Sequence, residues 1–266
     1  MAKKAAGKPS AARGRGARAA GAGPYTLAID VGGTGLKMLV LDARGKPITE
    51  RARVATPRPA TPARVLRALE GLIATQPRFD RVSVGFPGVV HDGVVHTAPN
   101  LDGAWQGFDL AKALARATRK PVRVCNDADV QGLGDIEGRG VELVLTLGTG
   151  LGSALFVDGK LVPNLELGHH PFRNGETYEQ QVGRAALEKI GKKRWRKRVR
   201  RMIEQLEPIF NFRKLYLGGG NAKHLRPEDL PANAVIASNE AGMLGGIALW
   251  RATNEPPAAQ RRKLRR

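Results

Sequence analysis

Apolar residues occur along this chain in two stretches that each turn back at a glycine-threonine corner. The first stretch covers residues 27–42 with its corner at 33–35, and the second covers residues 145–158 with its corner at 148–150. An apolar run, a glycine corner, a second apolar run and a polar turn predict a β-hairpin. Glycine lets backbone N–H groups approach an anion, and a threonine hydroxyl adds a donor. Two such hairpins predict a duplicated fold that holds one phosphate-bearing ligand from both sides.

The remaining pattern alternates short apolar strands with helices. In the first half it predicts a helix over 62–75, a strand over 81–86, a hairpin over 89–95, a helix over 109–118 capped by Asp109, and a strand over 122–125. After residue 125 it predicts a helix, a strand, the second hairpin, two long helices, a strand over 214–217 and a last helix over 240–253. This alternation indicates an α/β fold. We expect one unit over 24–125, completed by the last helix, and a second unit over 126–239.

The net charge of +20 is concentrated in three segments. Residues 1–23 carry six cations, residues 192–201 carry eight and residues 256–266 carry five, and none of these segments contains an acid. The rest of the chain is therefore close to neutral. Both terminal segments are expected to be disordered tails. Residues 1–23 lack hydrophobic periodicity and are either solvated or weakly attracted to polyanions such as nucleic acid and polyphosphate.

The central basic segment has the periodicity of a helix. Its apolar residues fall on one face at helical spacing: Trp195, Val199, Met202, Ile203 and Leu206. The cations cover the remaining surface. This face is either simply solvated or a track for a long polyanion, and the second interpretation gains weight if an active site opens onto it.

Composition excludes several classes of protein. No apolar run reaches the roughly 20 residues that span a bilayer, so we expect no association with a membrane. The basic N-terminus is not followed by the apolar segment of a signal peptide. Cys125 is the single cysteine, which excludes an intramolecular disulfide and a cysteine-rich zinc site. We expect a cytoplasmic protein.

The two corners differ in their chemistry. Asp30 ends the first apolar strand, where its carboxylate can hold Mg²⁺ directly or through water. Aligning the corners sets Asp30 opposite Leu145, so only the first copy carries a carboxylate and the metal side is assigned to the first half. Lys37 either meets a phosphate or is a solvated strand residue.

Other polar residues follow predicted strands, where ligands of α/β proteins bind. Asn100 and Asp102 suit sugar hydroxyls, although such residues are also common in turns. Asp127 either caps the helix that follows it or takes a proton from a sugar hydroxyl. Glu166 and His169 add a carboxylate and an imidazole on a glycine turn, where a histidine can also be structural.

Together these motifs resemble the ROK (repressor, open reading frame, kinase) family of sugar kinases. The resemblance spans about residues 27–249 and implies the actin/hexokinase-like (ribonuclease H-like) duplicated fold, with two α/β domains and an intervening cleft. It is carried by the phosphate motifs at 30–35 and 147–152, the sugar motifs at 98–100, 126–127 and 166–169, and the adenosine-type motif at 218–221.

The resemblance also implies a role for each matching residue. The sugar would be held by Asn100, Asp102, Asn126, Asp127, Glu166, His169 and Glu179, with Asp127 as general base. The donor phosphates would be held by Asp30, Gly32, Gly33, Thr34, Gly35, Lys37, Gly148, Thr149, Gly150, Gly218, Gly219 and Gly220, with Mg²⁺ at Asp30.

Within the family, the chain is similar to the polyphosphate glucokinases at residues 30–37, 85–90, 98–105, 126–129 and 145–169. Like that branch it lacks the zinc-binding cysteine cluster of many ROK proteins, so no zinc is expected. The segment after Glu179 and residues 221–224 differ from that branch, which leaves the donor open between polyphosphate and ATP.

The resemblance therefore implies a Mg-dependent, homodimeric glucokinase that phosphorylates the 6-hydroxyl of glucose. The main alternative is a strictly ATP-dependent glucokinase, followed by a kinase for another hexose. A non-catalytic sugar sensor is disfavoured because the phosphate loops and the base are intact. No specific DNA binding is expected, because the 23-residue tail cannot form a helix-turn-helix.

Overall fold

Both predicted hairpins form the centre of a β-sheet in the computed structural model, which describes residues 23–237 and 241–251. Within that part, side chains are not described for residues 241–244 and 251. The predicted basic tails lie outside it, except for Gly23, as do the ends of the predicted last helix.

The first half builds its sheet around the first hairpin. Its strands are β1 (Thr26–Val31), β2 (Gly35–Leu41), β3 (Ala52–Ala55), β4 (Arg81–Phe86), β5 (Val90–His91), β6 (Val94–Val95) and β7 (Val122–Asn126), and its helices are α1 (Pro62–Ile73) and α2 (Leu110–Thr118). The predicted cap of α2 is confirmed, because the Asp109 carboxylate accepts a hydrogen bond of 2.8 Å from the Lys112 N–H. The predicted turn of the β5–β6 hairpin is also present, with Asp92 and Gly93 at positive φ.

The second half repeats this plan. Its helices are α3 (Asp127–Asp135), α4 (Tyr178–Val182), α5 (Arg184–Phe210) and α6 (Ala241–Arg251), and its strands are β8 (Val141–Leu147), β9 (Leu151–Val157), β10 (Lys160–Val162), β11 (Pro171–Arg173), β12 (Glu176–Thr177), β13 (Lys214–Gly218) and β14 (Ala234–Ile236).

The two five-stranded sheets have the same topology. The first has the order β3-β2-β1-β4-β7 and the second the order β10-β9-β8-β13-β14. In each, the first three strands in chain order are antiparallel neighbours, and the last two are added in parallel. The expectation of a duplicated α/β fold is confirmed.

Helices α3 and α6 pack against each other between the sheets. They cross closely, since a Cβ on Gly245 would lie 1.6 Å from the Val130 carbonyl oxygen. Helix α6 is joined to the first sheet by hydrogen bonds from Ser83 Oγ to the Gly246 carbonyl and from Arg123 to the Leu249 carbonyl. The last helix therefore packs on the first sheet although it follows the second half in sequence.

The predicted apolar face of the basic helix is confirmed. Its five residues are at most 2% exposed and pack in the core of the second half: Trp195, Val199, Met202, Ile203 and Leu206. The cations at 192–194, 197 and 200–201 lie exposed on the other faces. In the described part of the chain, no helix is both long and apolar enough to cross a membrane.

The prediction of two long helices after the second hairpin was wrong. Helix α4 has five residues, whereas α5 has 27 and includes a break at Gly191, which has φ of 74°. Glycine adopts this left-handed conformation without the steric cost that a side chain brings. The break separates the first turns of α5 from its basic segment.

Candidate active site

A cleft of about 480 Å³ lies between the two halves of the molecule. This volume is in the range of sites for small ligands. Both glycine corners line it, together with the start of α3 and the loop after β13. The described residues that line it include no phenylalanine, tyrosine or tryptophan.

Asp127 is the first residue of α3 and lies where strand β7 ends. The expectation that Asp127 caps this helix was wrong, because Asn126 is the cap and its Oδ1 accepts hydrogen bonds from the N–H groups of Ala128 and Asp129. The Asp127 carboxylate is thereby left to face the cleft, with one bond from the Ala128 N–H. Gly85 permits this approach, since a Cβ there would lie 3.3 Å from Asp127 Cα.

The surroundings of Asp127 favour its neutral form. Burial, followed by the negative charge of Asp30, raises the pKa of Asp127 to about 7, and Glu166 adds to the effect. A carboxylate with such a pKa is half ionised near neutral pH and can accept a proton from a hydroxyl group.

The two corners close in similar ways. The Gly32 N–H donates to the Gly35 carbonyl, and the Gly148 N–H donates to the Gly150 carbonyl, each at 3.1 Å. Strand register pairs Val31 with Leu36 and Leu147 with Leu151, so the first loop is one residue longer.

This register corrects the alignment of the two copies. When the last paired residues of each hairpin are matched, Asp30 corresponds to Thr146, not to the buried Leu145. Asp30 and Thr146 both line the cleft. The carboxylate is nonetheless found only in the first copy, where Lys37 Nζ lies 2.8 Å from Asp30 Oδ2.

Polar groups from both halves of the molecule meet next to Asp127. Asn126 Nδ2 donates to the Gly88 carbonyl at 3.1 Å and lies 3.4 Å from Glu166 Oε1. His169 Nε2 lies 3.7 Å from Glu166 Oε2. Burial raises the pKa of Glu166; the nearby His169 opposes this shift, and Glu179 adds to it. The arrangement offers carboxylate, amide and imidazole groups to a ligand with several hydroxyl groups.

Glu179 connects this polar group to the second corner. Its Oε2 accepts a hydrogen bond of 3.3 Å from the Leu151 N–H, and a Cβ on Gly150 would lie 1.9 Å from the same oxygen. Asn100 makes a similar approach to the first corner, because a Cβ on Gly33 would lie 3.3 Å from Asn100 Cβ. Each corner is therefore in contact with a residue predicted to bind the sugar.

Three of the predicted residues do not line the cleft. Asp102 Oδ2 accepts a bond of 2.7 Å from the Ala60 N–H and lies 3.5 Å from Arg58 Nη1, so its carboxylate is engaged in the loop before α1. Gly35 and Gly218 are buried at the ends of strands β2 and β13. The remaining predicted residues of both sets line the cleft.

Five polar cleft residues were missed by the sequence analysis: Arg51, Ser83, Gln131, Thr146 and Arg184. Arg184 begins α5, and its N–H donates to the carbonyls of Gly148 and Thr149 at 3.1 Å. A basic residue at a helix start after a glycine is a usable signal for an anion site. Arg51 and Gln131 carry no comparable signal, because tertiary packing alone brings them to the cleft.

Asp30 suits a magnesium ion that is shared with a phosphate ligand. In the described residues there is no cluster of three or more acidic, histidine or cysteine side chains that could hold a metal. Mg²⁺ at phosphate sites is usually held by one or two carboxylates, with phosphates and water completing its shell. A single carboxylate beside two glycine corners fits that pattern.

Comparisons with known proteins agree with this geometry. The model of the ROK family matches residues 26–181. The polyphosphate glucokinase of Mycobacterium leprae (strain TN) is 33% identical over 235 residues, which cover 82% of this chain and 72% of that protein. The polyphosphate glucokinase of Mycobacterium tuberculosis (strain CDC 1551 / Oshkosh) is 32% identical over 238 residues, which cover 83% and 89%.

A solved structure gives the same result. The inorganic polyphosphate/ATP-glucomannokinase from Arthrobacter sp. strain KM superposes with a TM-score of 0.75 at 35% identity, covering 85% of this chain and 97% of that one. The family match covers more than half of the chain, and the similarity to these relatives extends over most of both partners. The chain therefore belongs to the ROK family.

Proposed function

We propose that this protein is a sugar kinase that transfers a phosphoryl group from polyphosphate or ATP to the 6-hydroxyl of glucose. The observation that carries the proposal is the position of Asp127. A carboxylate with a pKa near 7 lies between a group of sugar-compatible side chains and two glycine corners suited to phosphate. The names of the relatives that are about one-third identical support glucose and polyphosphate as substrates.

Glucose would bind on the side of the cleft that holds Glu166, His169 and Glu179. The carboxylates of Glu166 and Glu179 accept hydrogen bonds from sugar hydroxyls. The His169 imidazole and the Asn100 amide can donate and accept, and the Asn126 amide can donate. Holding the sugar at several hydroxyls fixes its 6-hydroxyl beside Asp127, and this positioning lowers the entropic part of the barrier.

Asp127 would accept the proton of the 6-hydroxyl as this oxygen attacks the terminal phosphorus of the donor. The bond from the sugar oxygen to phosphorus forms while the bond from phosphorus to the donor oxygen breaks, and the shortened donor leaves with the electron pair. A general base typically contributes about 10²–10⁴-fold to the rate.

The two corners would stabilise the charge on the transferred group. The corner N–H groups that are not bonded within the corners, and the hydroxyls of Thr34 and Thr149, would donate to the phosphoryl oxygens, and Lys37, Arg51 and Arg184 would add positive charge. Mg²⁺ held at Asp30 would supply charge neutralisation on the donor phosphates. Closure of the cleft would exclude water and limit wasteful hydrolysis.

Polyphosphate is favoured as a donor by the charge of the second half. A linear polyanion gains from many weak contacts with cations, and such contacts are screened by salt. We expect activity with Mg-polyphosphate that falls steeply as salt is added. The name of the Arthrobacter relative supports use of both donors and of mannose as a second acceptor.

The test is a matrix of coupled assays in which glucose, mannose and fructose are each combined with ATP and with polyphosphate. The proposal predicts phosphorylation of glucose with polyphosphate. Equal or better activity with ATP and none with polyphosphate would leave the ATP-dependent alternative. Sugar binding without transfer from either donor would identify a sensor instead.

A further inference from the structure

The helix that carries the basic segment begins at the proposed donor side of the cleft. Arg184 lines the cleft and begins this helix, and its backbone N–H donates to the carbonyls of Gly148 and Thr149. Helix α5 therefore starts at the second corner, and its basic segment follows the break at Gly191.

The loop after β13 leaves the same corner. Gly219 and Gly220 line the cleft, and Asn221 Nδ2 donates to the Gly148 carbonyl at 2.8 Å. Two residues further on, Lys223 is exposed, and the His224 carbonyl accepts a bond of 3.4 Å from Arg196 of α5. The loop and the helix thus enclose one strip of surface between Gly148 and Arg196.

The positive charge of this strip is largely uncompensated. Residues 184–201 contain ten cations and one acid, Glu188. Asp229 pairs with Arg196 at 3.2 Å and with Arg200 at 3.1 Å. Within the described part of the chain, the exposed side chains of Lys192, Lys193 and Lys223 have no ion-pair partner.

Two lysines of this strip act electrostatically on His224. Its partial burial, then the charges of Lys192 and Lys223, lower the pKa of His224. Lys192 on α5 and Lys223 on the loop therefore act on the same point from two elements. These two positive charges, and not the burial of His224, are what favour an anion at this point.

We propose that Arg184, Lys192, Lys193 and Lys223, here named the basic rail, bind the trailing phosphates of a linear polyphosphate donor whose end lies between the glycine corners. This inference rests on the proposed function and adds the path of the donor. A nucleic acid is the less suitable ligand, because single strands are usually held by stacking on aromatic rings, and the described residues of the cleft wall include no phenylalanine, tyrosine or tryptophan.

The test compares the variant Lys192→Gln/Lys223→Gln with a matched control, Lys112→Gln/Arg116→Gln, which removes two exposed cations from α2. Binding of long-chain polyphosphate and of tripolyphosphate is titrated at several salt concentrations without sugar.

A contact to a flexible polyanion contributes about 0.7 to the slope of log affinity against log salt. The rail variant should therefore lose about 1.4 from this slope with the long chain. It should lose less with tripolyphosphate, because three phosphates can contact fewer cations than a long chain, and the control should match the wild type.

Three results would overturn the rail. These are an unchanged slope in the rail variant, an equal loss in the control, and wild-type binding of an RNA oligonucleotide that exceeds binding of polyphosphate and depends on the rail. Parallel glucose phosphorylation assays separate the two proposals. Rail-dependent binding of polyphosphate without turnover supports the rail and contradicts the proposed function. Turnover with polyphosphate that is the same in the rail variant and the wild type supports the proposed function and contradicts the rail.

Discussion

Lys37 Nζ lies 2.8 Å from Asp30 Oδ2, and the two residues are cross-strand partners at the cleft end of the first hairpin. The ion pair neutralises the carboxylate that we assign to Mg²⁺. Asp30 is also the nearby charge that acts most strongly on Asp127. The pair therefore connects donor binding to the protonation state of the proposed base.

The first prediction concerns the pH dependence of the wild-type enzyme. Asp127 must be ionised to accept a proton, and its pKa is about 7. The value of kcat/KM for glucose should therefore rise about tenfold per pH unit below pH 7 and level off above it, since this parameter reports groups of the free enzyme. A profile that is flat between pH 5 and pH 8 would exclude Asp127 as the base.

The second prediction uses the two members of the ion pair. Asp30→Asn removes a negative charge near Asp127 and should move the acid limb of the profile to lower pH. Lys37→Met leaves Asp30 uncompensated and should move the limb to higher pH. Both variants are expected to be slower, so the position of the limb, not the rate, is the measurement. If the acid limb moved in the same direction in both variants, the proposed effect of the Asp30 charge on the pKa of Asp127 would be contradicted.

The third prediction separates the sugar side from the donor side at the second corner. Gly150→Ala places a Cβ 1.9 Å from Glu179 Oε2, so the carboxylate must move away from the sugar. We expect the KM for glucose to rise about tenfold, the equivalent of about 1.4 kcal/mol for a lost charged hydrogen bond.

Gly148→Ala is the control for that change. A Cβ at Gly148 meets no atom within 4 Å, and the residue faces the proposed donor. Its substitution should affect the KM for the donor and leave the KM for glucose close to the wild-type value. An equal rise in the KM for glucose in both variants would show that Glu179 is not a sugar ligand.

The fourth prediction concerns stability and the buried residue Asp129. Burial raises the pKa of Asp129 to about 7, and its carboxylate accepts bonds from the Asn164 N–H and the Cys125 thiol. Because the folded state binds this proton more tightly than the unfolded state, its contribution is largest below pH 4 and is lost as pH rises through 7.

Asp129→Asn removes that dependence while keeping an oxygen as acceptor. The Tm of the variant relative to wild type should increase by a few degrees from pH 5 to pH 8, measured by calorimetry. A Tm difference that stays constant or decreases over this range would contradict the raised pKa. Asp135→Asn is not a suitable control, because burial also raises the pKa of Asp135, to about 6.

Sequence patterns were informative wherever burial is one-sided and local. The apolar face of α5 and the two hairpins follow from periodicity alone, because each presents one continuous surface to a core. The edge strands β3, β10 and β14 were missed because they are short and contain no buried residue, and so lack an apolar alternation.

Only part of the candidate active site could be predicted from the sequence. Residues in glycine motifs could be selected because their backbone chemistry is local. Thr146 could not be selected in this way, because strand register brings it to the cleft, whereas Arg184 carried a signal at the start of a helix that was not used. Asp102 was predicted to bind the sugar because it lies in a recognisable motif. Its carboxylate instead accepts a hydrogen bond from the Ala60 N–H in a neighbouring loop.

The most direct test of the account is the rate of glucose phosphorylation by Asp127→Asn with the better of the two donors. The side chain is nearly isosteric and keeps an oxygen that can accept the Ala128 N–H bond, so the variant should fold and bind glucose like the wild type, as checked by calorimetric titration. The account predicts that kcat falls by about 10²–10⁴-fold. Near-normal turnover in a folded, glucose-binding variant would contradict it.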